Sequence, residues 1–415
     1  MNSQAPQLLK GFRDFLPEEK RKRDYVASKI KETFELFGFD PLETPTLEYA
    51  SLLLGKYGSE ADKLVYQFKD RGDRDIALRY DQTVPTARVL AEYQSTLPKY
   101  FRRYQIQNVF RADKPQKGRY REFTQCDADI FGSQSPLADA EILAVYYAIY
   151  KQLGINSIRI QVNDRATLIQ SLSPFQTEIV PVLSIIQSID KLDKIPKEAV
   201  VEELTKKGLA NKKAADALEA ATQAKPSGSL TEILSASEAL GIPKQSLQFQ
   251  PSLARGLDYY TGLIFEGVIP EYTVGSVGGG GRYDNLIKQL SNVQIEAVGF
   301  GLGFDRTVEA ADQLNLLPSE TSSTKALVTM FDQNTQERSL AIAAQLRDAG
   351  IKSEVFPAIE KLEKQLKYAD KKGIPFVVII GPEEAKKGMA TVKNMRERTE
   401  KKIPLDNLVE IMKKG

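Results

Sequence analysis

The pattern of strands and helices changes near residue 320, and this change constrains the fold of the 415-residue chain more than any other feature. Before it, segments such as "VYQFKDRGDRDIALRYD" alternate around short polar turns, which is typical of antiparallel hairpins. After the polar seam "PSETSST", 318–324, strand-like apolar runs alternate with helical ones, which favours a mainly parallel α/β module. A chain of this length is expected to form two or three domains.

Within the first part, Pro17 and the stripe Val26, Ile30 and Phe34 predict a helix that ends near Gly38. Residues from about 165 to 248 are helical in pattern and rich in Ala, Lys and Glu, with a break at "KPSGS", so we interpret them as an insertion. Strand patterns return at "LDYYTGLIFEGVI". The expected first domain is therefore α+β, with a mainly antiparallel sheet and a helical insertion.

The composition excludes several kinds of chemistry. The chain has no histidine and one cysteine, Cys126, so histidine-dependent acid–base catalysis, zinc sites and Cys/His pairs are excluded. No apolar run approaches the roughly 20 residues of a membrane span, and no signal-peptide pattern opens the chain. We therefore expect a cytoplasmic protein with no membrane anchor and no intrachain disulfide framework.

Charge is distributed unevenly along the chain. The net charge is only +2, but from Lys325 onward there are 18 Lys/Arg and 13 Asp/Glu, a surplus of five. Such a surplus predicts a basic C-terminal domain.

Residues 111–132, "RADKPQKGRYREFTQCDADIFG", combine cations with a row of polar side chains. Period-two alternation places Gln125, Asp127 and Asp129 on one face of a return strand and Cys126 on the core face. Arg111 ends the outgoing strand, and further cations on or beside the loop are Lys114, Lys117, Arg119 and Arg121. Such a cluster suits a polyphosphate or a nucleic-acid backbone, but a solvated hairpin tip accounts for it equally well.

Three other segments carry candidate site residues. "ARGLDYYTG", 254–262, offers an arginine, a carboxylate and two tyrosines for a charged aromatic or amine substrate, or simply tyrosines packed in a strand. "LRYDQTVP", 78–85, offers Asp81 and Thr83 to an ammonium group, although a turn-forming Asp is the commoner explanation. "VGFGLGFDR" lacks a Walker lysine, so its glycines indicate close backbone approach, and Arg306 is suited to a phosphate or a ring.

In order and spacing, these segments resemble class II aminoacyl-tRNA synthetases, and specifically histidyl-tRNA synthetases. "GFRDFLPEE" resembles the family's opening, the helix into "TPTLE" motif 1, the hairpin motif 2, "VGFGLGFDR" motif 3, and "RGLDYYTG" the histidine-specific signature. The resemblance implies a class II catalytic domain over 1–320 with its insertion at about 165–248, and an α/β anticodon-binding domain over 325–415.

The resemblance also implies a reaction. A ligase of this family activates L-histidine with ATP to histidyl-adenylate and transfers histidine to the 3′ end of tRNA(His). It implies Mg²⁺ bound mainly through the ATP phosphates, no metal site on the protein itself, and a homodimer formed through motif 1.

Site roles follow from the matching positions. Arg111 and Arg255 would be catalytic, contacting the substrate carboxylate and the α-phosphate, with Arg255 taking a role that related enzymes give to a metal. The histidine contacts would be Asp81, Gln82, Thr83, Arg111, Gln125, Asp129, Arg255, Tyr259 and Tyr260. The ATP contacts would be Arg111, Asp113, Arg119, Phe123 and Arg306, and the tRNA contacts Lys114, Gln116 and Lys117. The resemblance implies no role for Asp127.

The sequence departs from the family at two positions of motif 2, because Ala112 and Thr124 stand where many bacterial relatives carry histidine. The complete absence of histidine leads to the hypothesis that the enzyme can be translated when charged tRNA(His) is scarce. Compositional drift or deliberate removal of histidine would leave the same composition.

Three other functions were weighed. A histidine-sensing regulatory paralogue of ATP phosphoribosyltransferase shares the catalytic fold, but such paralogues lack the C-terminal module and commonly lose signature residues. A class II synthetase for another amino acid is disfavoured by "RGLDYYTG". An RNA-binding protein descended from a synthetase would have little use for Arg111, Arg255 and Arg306.

Overall fold

The structure is a computed structural model that describes residues 6–55, 62–116, 120–192, 195–254, 260–291, 293–319 and 322–414. The chain divides into two compact units. The first comprises Met1–Asp14 and Lys22–Leu317, and the second comprises Phe15–Arg21 and Pro318–Gly415. No helix in these described ranges is long and apolar enough to cross a membrane.

A long helix, a small sheet and the predicted hairpin precede the insertion. The elements are α1 Pro17–Leu36, β1 Asp40–Pro41, β2 Leu47–Tyr49, α2 Ala50–Leu53, β3 Gln67–Lys69, β4 Asp75–Leu78, α3 Thr83–Glu92, β5 Phe101–Phe110, β6 Glu122–Phe131, α4 Pro136–Gln152 and β7 Arg159–Asp164. Helix α1 confirms the predicted helix. It starts at Pro17, buries Val26, Ile30 and Phe34 completely on one stripe, and is followed by Gly38 with a φ of +72°.

Helices fill the segment that we interpreted as an insertion. They are α5 Arg165–Leu172, α6 Val182–Ile189, α7 Lys197–Lys206, α8 Asn211–Gln223 and α9 Gly228–Ala239, with 3₁₀ turns at Ser173–Phe175 and Lys244–Ser246. Ser227 caps α9 by accepting a hydrogen bond from Leu230 N at 3.0 Å. The same hydroxyl donates to Asp164, whose carboxylate caps α5 at Thr167 N. The N-termini of α5 and α9 are therefore connected by side-chain hydrogen bonds next to the end of β7, where the insertion begins.

The chain then returns to the sheet. The remaining elements of the first unit are β8 Leu247–Phe249, β9 Leu263–Val268, β10 Gly278–Arg282, α10 Leu286–Ser291, β11 Ala297–Gly303 and α11 Phe304–Gln313. The sheet has eight strands in the order β1-β5-β6-β11-β10-β9-β7-β8, and all pairs are antiparallel except β1 with β5 and β7 with β8. The prediction of a mainly antiparallel sheet is confirmed.

One face of this sheet carries the main hydrophobic core. Cys126, Ala128 and Ile130 of β6 point into it and pack with buried side chains of α1, α4 and α11. The opposite face of β6 carries Gln125, Asp127 and Asp129.

A second, three-stranded sheet has the order β2-β4-β3, and both of its pairs are antiparallel. It contains the hairpin predicted from "VYQFKDRGDRDIALRYD". Ala77 of its central strand is buried in a small core with Ala50, Leu53, Val65 and Val84.

The second unit is built around a five-stranded sheet. Its elements are β12 Ala326–Val328, α12 Gln333–Asp348, β13 Ser353–Val355, α13 Leu362–Lys372, β14 Phe376–Ile379, α14 Pro382–Lys387, β15 Met389–Asn394, β16 Thr399–Pro404 and α15 Leu405–Lys414. Helix α12 starts three residues before the predicted Gln336, because Asp332 and Thr335 form a capping box.

The sheet of the second unit has the order β13-β12-β14-β15-β16. Strand β12 is parallel to β13 and β14, as predicted for a β/α alternation. The prediction of a mainly parallel sheet is wrong for the last two strands, which pair antiparallel with β14 and with each other. A short connection, with Arg398 at a φ of +57°, returns the chain directly, so no crossover helix separates β15 from β16.

Candidate functional site

The polar row predicted on β6 is confirmed, and the strand register shows what flanks it. On one side the row lies along the glycines of β11, with the pairs Gln125–Gly303, Asp127–Gly301 and Asp129–Gly299. On the other side it lies along β5, with the pairs Gln125–Gln107, Asp127–Gln105 and Asp129–Arg103. The row therefore runs down the middle of the large sheet, between glycines of β11 and polar side chains of β5.

Glycines of β11 make room for the carboxylates of β6. A Cβ atom on Gly299 would lie 1.8 Å from Asp129 Oδ1, and one on Gly301 would lie 3.2 Å from Asp127 Oδ1. The expectation of a close approach at "VGFGLGFDR" is thus confirmed, and the approaching groups are acidic side chains of the neighbouring strand.

Asp129 forms a buried ion pair. Arg103 Nη2 lies 2.5 Å from its Oδ2, both side chains are almost fully buried, and the Tyr283 hydroxyl donates to Oδ1. Burial raises the pKa of Asp129, and the charge of Arg103 opposes that rise. The predicted contact of Asp129 with an imidazole remains a prediction, and it requires an oxygen to accept one further hydrogen bond, which a carboxylate can do.

Asp127 is buried beside this pair and holds the side chain of Gln125. Gln125 Nε2 donates to both carboxylate oxygens of Asp127, at 2.9 and 2.8 Å. Burial raises the pKa of Asp127 to about 7; the charges of Asp129 and Asp81 add to the rise, while Arg103 and the hydrogen bond from Gln125 oppose it. A carboxyl group that titrates near neutral pH thus lies next to a predicted substrate ligand.

A layer of amides covers the middle of β5. Gln105 Nε2 donates to Gln107 Oε1 at 2.9 Å, and Thr86 donates to Gln105 Oε1 at 2.7 Å. The side chain of Gln82 is fully buried, and its Nε2 donates to the carbonyls of Gln107 and Gln125. Gln82 therefore ties the start of α3 to the hairpin through Nε2, while its buried Oε1 has no hydrogen-bond partner among the described residues, so its contact with histidine remains a prediction.

Arg111 is a half-buried cation without an ion-pair partner in the described ranges. Its Nε donates to the carbonyl of Tyr80 at 3.2 Å, and its guanidinium carbon lies 4.5 Å from the Tyr80 ring centre and 5.1 Å from that of Phe123. Arg306 resembles it, because Nη1 donates to the carbonyl of Ser276 at 2.6 Å and no described carboxylate pairs with it. In contrast, the buried Arg23, Arg103 and Arg282 pair with acids, and the buried Arg79 donates to the backbone carbonyls of Thr44 and Asn108.

The other histidine ligands predicted in the described ranges lie at the N-terminus of α3 and before β9. Asp81 Oδ1 accepts a hydrogen bond from Val84 N at 3.1 Å, so Asp81 does have the turn-forming role that the sequence left open. Thr83 is the first residue of α3 and is half-buried. Tyr260 is buried, and its ring lies so close to β10 that a Cβ on Gly281 would be 2.9 Å from it.

The predicted ATP and tRNA contacts lie around the hairpin loop. Phe123 is half-buried, Asp113 is buried, and the Asp113 carbonyl accepts a hydrogen bond from Arg121 Nε at 3.0 Å. Lys114 and Gln116 are exposed, as a tRNA contact requires. The predictions for Lys117, Arg119, Arg255 and Tyr259 lie outside the described residues.

Thr124, one of the two positions that depart from the family, belongs to a network around Asp305. Arg23 Nη2 donates to the Thr124 hydroxyl at 3.1 Å, while Arg23 Nη1 donates to Asp305 Oδ1. Arg13 Nη2 also donates to that oxygen, at 2.9 Å. Because Asp305 precedes Arg306, these contacts connect the return strand of motif 2 to the start of the motif 3 helix.

Sequence reasoning missed three of these residues: Arg23, Arg103 and Tyr283. Arg103 had a usable signal, because an antiparallel hairpin around residues 111–121 places it opposite Asp129. Arg23 and Tyr283 are distant from the hairpin in sequence, and no local pattern connects them to it.

Family models match nearly the whole chain. The model described as histidyl-tRNA synthetase matches residues 11–307, and the model described as anticodon binding domain matches residues 324–415.

Individual proteins give the same result. The chain is 38% identical to a histidine–tRNA ligase of Cytophaga hutchinsonii, covering 98% of this chain and 99% of the relative. It is 39% identical to one of Wolinella succinogenes, covering 98% of each. The crystal structure of histidyl-tRNA synthetase from Nostoc sp. PCC 7120 aligns with a TM-score of 0.86 and 27% identity, covering 100% of this chain and 99% of that one.

Proposed function

This chain belongs to the histidyl-tRNA synthetase family, and from that premise we propose which residues carry out its reaction. The chain is an ATP-dependent ligase: it activates L-histidine as histidyl-adenylate and transfers histidine to the 3′ end of tRNA(His). The regulatory paralogue is the less supported alternative, because the anticodon-binding model also matches.

One observation carries the assignment of the activation site. Arg111 and Arg306 are half-buried arginines without a described carboxylate partner, whereas the buried Arg23, Arg103 and Arg282 have one and the buried Arg79 is held by the backbone carbonyls of Thr44 and Asn108. A guanidinium that is partly withdrawn from water is costly unless an anion pairs with it. ATP and the carboxylate of histidine supply such anions, so both arginines are suited to bind them.

Arg111 acts in adenylate formation by electrostatic stabilisation. The histidine carboxylate attacks the α-phosphorus, pyrophosphate leaves, and negative charge grows on the α-phosphate oxygens as the new bond forms. The Tyr80 and Phe123 rings and the Tyr80 carbonyl hold the Arg111 guanidinium in place, so little reorganisation is needed when that charge develops. We assign Arg255 the same stabilising role because it lies in the segment that resembles the histidine-specific signature of the family.

Histidine is held by its two charged ends and its ring. Asp81, Thr83 and Gln125 bind the ammonium group, Gln82 is a further histidine contact, and Asp129, Tyr259 and Tyr260 line the imidazole pocket. The polar row supports this assignment, because Gln125, Asp127 and Asp129 place oxygen atoms that can accept hydrogen bonds at the middle of the sheet.

ATP and tRNA meet at the hairpin. Asp113 binds the adenine edge, Phe123 and Arg306 enclose the ring, and Arg119 and Arg306 bind the β- and γ-phosphates. Mg²⁺ enters as part of the MgATP substrate and screens the departing pyrophosphate. The exposed side chains Lys114 and Gln116, with Lys117, meet the acceptor end of the tRNA.

Catalysis and anticodon binding belong to two different domains. We propose a catalytic domain over 1–320 with its insertion at about 165–248, and an anticodon-binding domain over 325–415 whose surplus of five positive charges suits RNA. The matches at 11–307 and 324–415 support this division. The cytoplasm is the proposed location, because translation requires the enzyme where ATP and tRNA are available.

A homodimer is supported by an apolar face of the small sheet. Leu47 pairs with Leu78, and Tyr49 and Phe68 both pair with Ile76, so these five side chains share one face. Leu47, Tyr49 and Phe68 are 42%, 59% and 46% exposed. An exposed apolar face of this kind is suited to cover the same face of a second copy. Phe68→Glu should convert a dimer to monomers in sedimentation; an unchanged mass would exclude this face.

The function is tested by pyrophosphate exchange into ATP with each of the twenty amino acids. Exchange should occur with histidine, and its absence would refute the proposed activity. Arg111→Ala should lower the exchange rate by about 10²–10³-fold, as loss of a group that stabilises transition-state charge does. Arg347→Ala is the control, because Arg347 is exposed, donates to the carbonyl of Ser353 and belongs to the second unit, which pyrophosphate exchange does not use.

Arg255 has its own test. Arg255→Ala should depress adenylate formation by orders of magnitude and leave tRNA binding largely intact. Equal losses of both would identify Arg255 as a structural residue.

A further inference from the structure

Asp127 is the one member of the acidic row to which the family resemblance assigns no role. Its side chain is 4% exposed and lies among groups that do have roles. The charged and titratable groups that act on it are Arg103 from β5, Asp129 from its own strand and Asp81 from the turn before α3. Strand β11 contributes only Gly301 at this level.

The contact between Asp127 and Gln125 defines the orientation of an amide. A carboxamide presents a donor end and an acceptor end of nearly the same shape, so its partners decide which end faces where. An ionised carboxylate only accepts hydrogen bonds, and both oxygens of Asp127 accept from Nε2 of Gln125. The Nε2 end must therefore face Asp127, and Oε1 is directed away from it.

We propose that Asp127 is a positioning residue that fixes the Gln125 amide so that Oε1 accepts a hydrogen bond from the ammonium group of histidine. This inference rests on the proposed role of Gln125 in binding that ammonium group. Asp127 does not touch the substrate; it acts through the amide of its neighbour.

Protonation of Asp127 reverses this arrangement. A carboxylic acid can donate its proton to Gln125 Oε1, and the amide then rotates and presents its NH₂ group to a cation, which is repulsive. Because burial places the pKa of Asp127 at about 7, the orienting form predominates above neutral pH and is lost as the pH falls. Histidine binding should therefore weaken on acidification because Asp127 takes up a proton, separately from any protonation of the substrate.

The experiment compares wild type with Asp127→Asn in pyrophosphate exchange from pH 5.5 to 8.5, with KM measured for histidine and for ATP. The asparagine amide can both donate and accept hydrogen bonds, so it can pair with the Gln125 amide in either orientation. The substitution therefore no longer fixes the orientation of Gln125, while the shape of the side chain is preserved. At pH 8 the variant should raise the histidine KM about tenfold, near the lower end of the worth of a hydrogen bond to a charged group. The ATP KM should stay within about twofold, a shift below 0.5 kcal/mol.

The pH dependence separates orientation from structure. As the pH falls through the titration of Asp127, the two histidine KM values should converge, because protonated Asp127 then resembles asparagine. The titration of the substrate imidazole cancels in the ratio of the two enzymes. A ratio independent of pH, or equal rises in the KM for histidine and for ATP, would overturn the proposal.

Two further variants complete the test. Gly301→Ala adds a Cβ atom 3.2 Å from Asp127 Oδ1 and 3.7 Å from Gln125 Nε2, so it crowds the same pair from the other strand. It should raise the histidine KM selectively, and it decides the question if Asp127→Asn does not fold; an unchanged KM would then overturn the proposal.

Gln125→Ala distinguishes this inference from the function on which it rests. If it raises the histidine KM while Asp127→Asn does not, only the positioning role is wrong. If it leaves the histidine KM unchanged, the assigned ammonium site and the positioning role are both overturned, although histidine-dependent exchange itself still stands.

Discussion

Replacing Gly299 by alanine should destabilise the catalytic core by more than the addition of one methyl group would suggest. The new Cβ atom would lie 1.8 Å from Asp129 Oδ1 and 2.6 Å from the carbonyl oxygen of Ala128. The shorter distance is about half of the 3.5–4.0 Å at which non-bonded heavy atoms attract. Neither obstacle can move easily, because one is backbone and the other is held by Arg103 and Tyr283.

The expected loss of stability can be estimated from the displacement of the Asp129 carboxylate. Overpacking a core typically costs about 1–3 kcal/mol, and disrupting a buried ion pair costs about 3–5 kcal/mol. Displacement of the Asp129 carboxylate involves both, so we expect a loss of about 3–5 kcal/mol in the free energy of unfolding. At roughly 2–4 °C per kcal/mol, the thermal midpoint should fall by about 6–20 °C.

Calorimetry or circular dichroism at pH 7.5 measures this shift. Gly228→Ala is the matched control: its backbone accepts alanine, no atom lies within 4 Å of the new Cβ, and it begins a helix. A Gly299→Ala midpoint within about 2 °C of this control, less than 1 kcal/mol, would refute the argument that β11 needs glycine to accommodate the acidic row.

Three further perturbations test other parts of the reasoning. Arg103→Met leaves Asp129 as a buried charge without its cation, so it should cost about 3–5 kcal/mol in urea unfolding at pH 8. The cost should shrink as the pH is lowered, because burial raises the pKa of Asp129 and protonation removes the buried charge; a cost independent of pH would contradict the ion pair. Asp127 has a folded-state pKa of about 7, above its ordinary 3.8, so wild type loses stability as pH rises between these values. Asp127→Asn escapes that loss, and its thermal midpoint should exceed that of wild type by more at pH 8 than at pH 5; a constant difference would contradict the raised pKa. Histidines installed at tolerated surface sites should slow recovery of enzyme synthesis after histidine starvation, and equal recovery would count against a selected absence of histidine.

The sequence by itself determined the fold class and most of the chemistry. Period-two alternation over 111–132 was enough to place Gln125, Asp127 and Asp129 on one face of a strand, because side chains in a strand alternate whatever the rest of the chain does. Likewise Pro17, the apolar stripe and Gly38 marked both ends of α1. The absence of histidine excluded whole mechanisms without any structure.

Only the tertiary structure decided which groups neutralise one another. The sequence placed the polar row on one face of a strand, but only the structure shows that Asp127 and Asp129 are buried there. Arg103 and Tyr283 satisfy Asp129 from other segments, and Gln125 donates to Asp127. Arg103 is paired, and Arg111 has no ion-pair partner among the described residues. This difference cannot be seen in the local sequence, since both arginines lie on or just after the same strand. Ion pairing and burial depend on distances between distant segments, and these distances give Asp127 its pKa near 7 and its place beside Gln125.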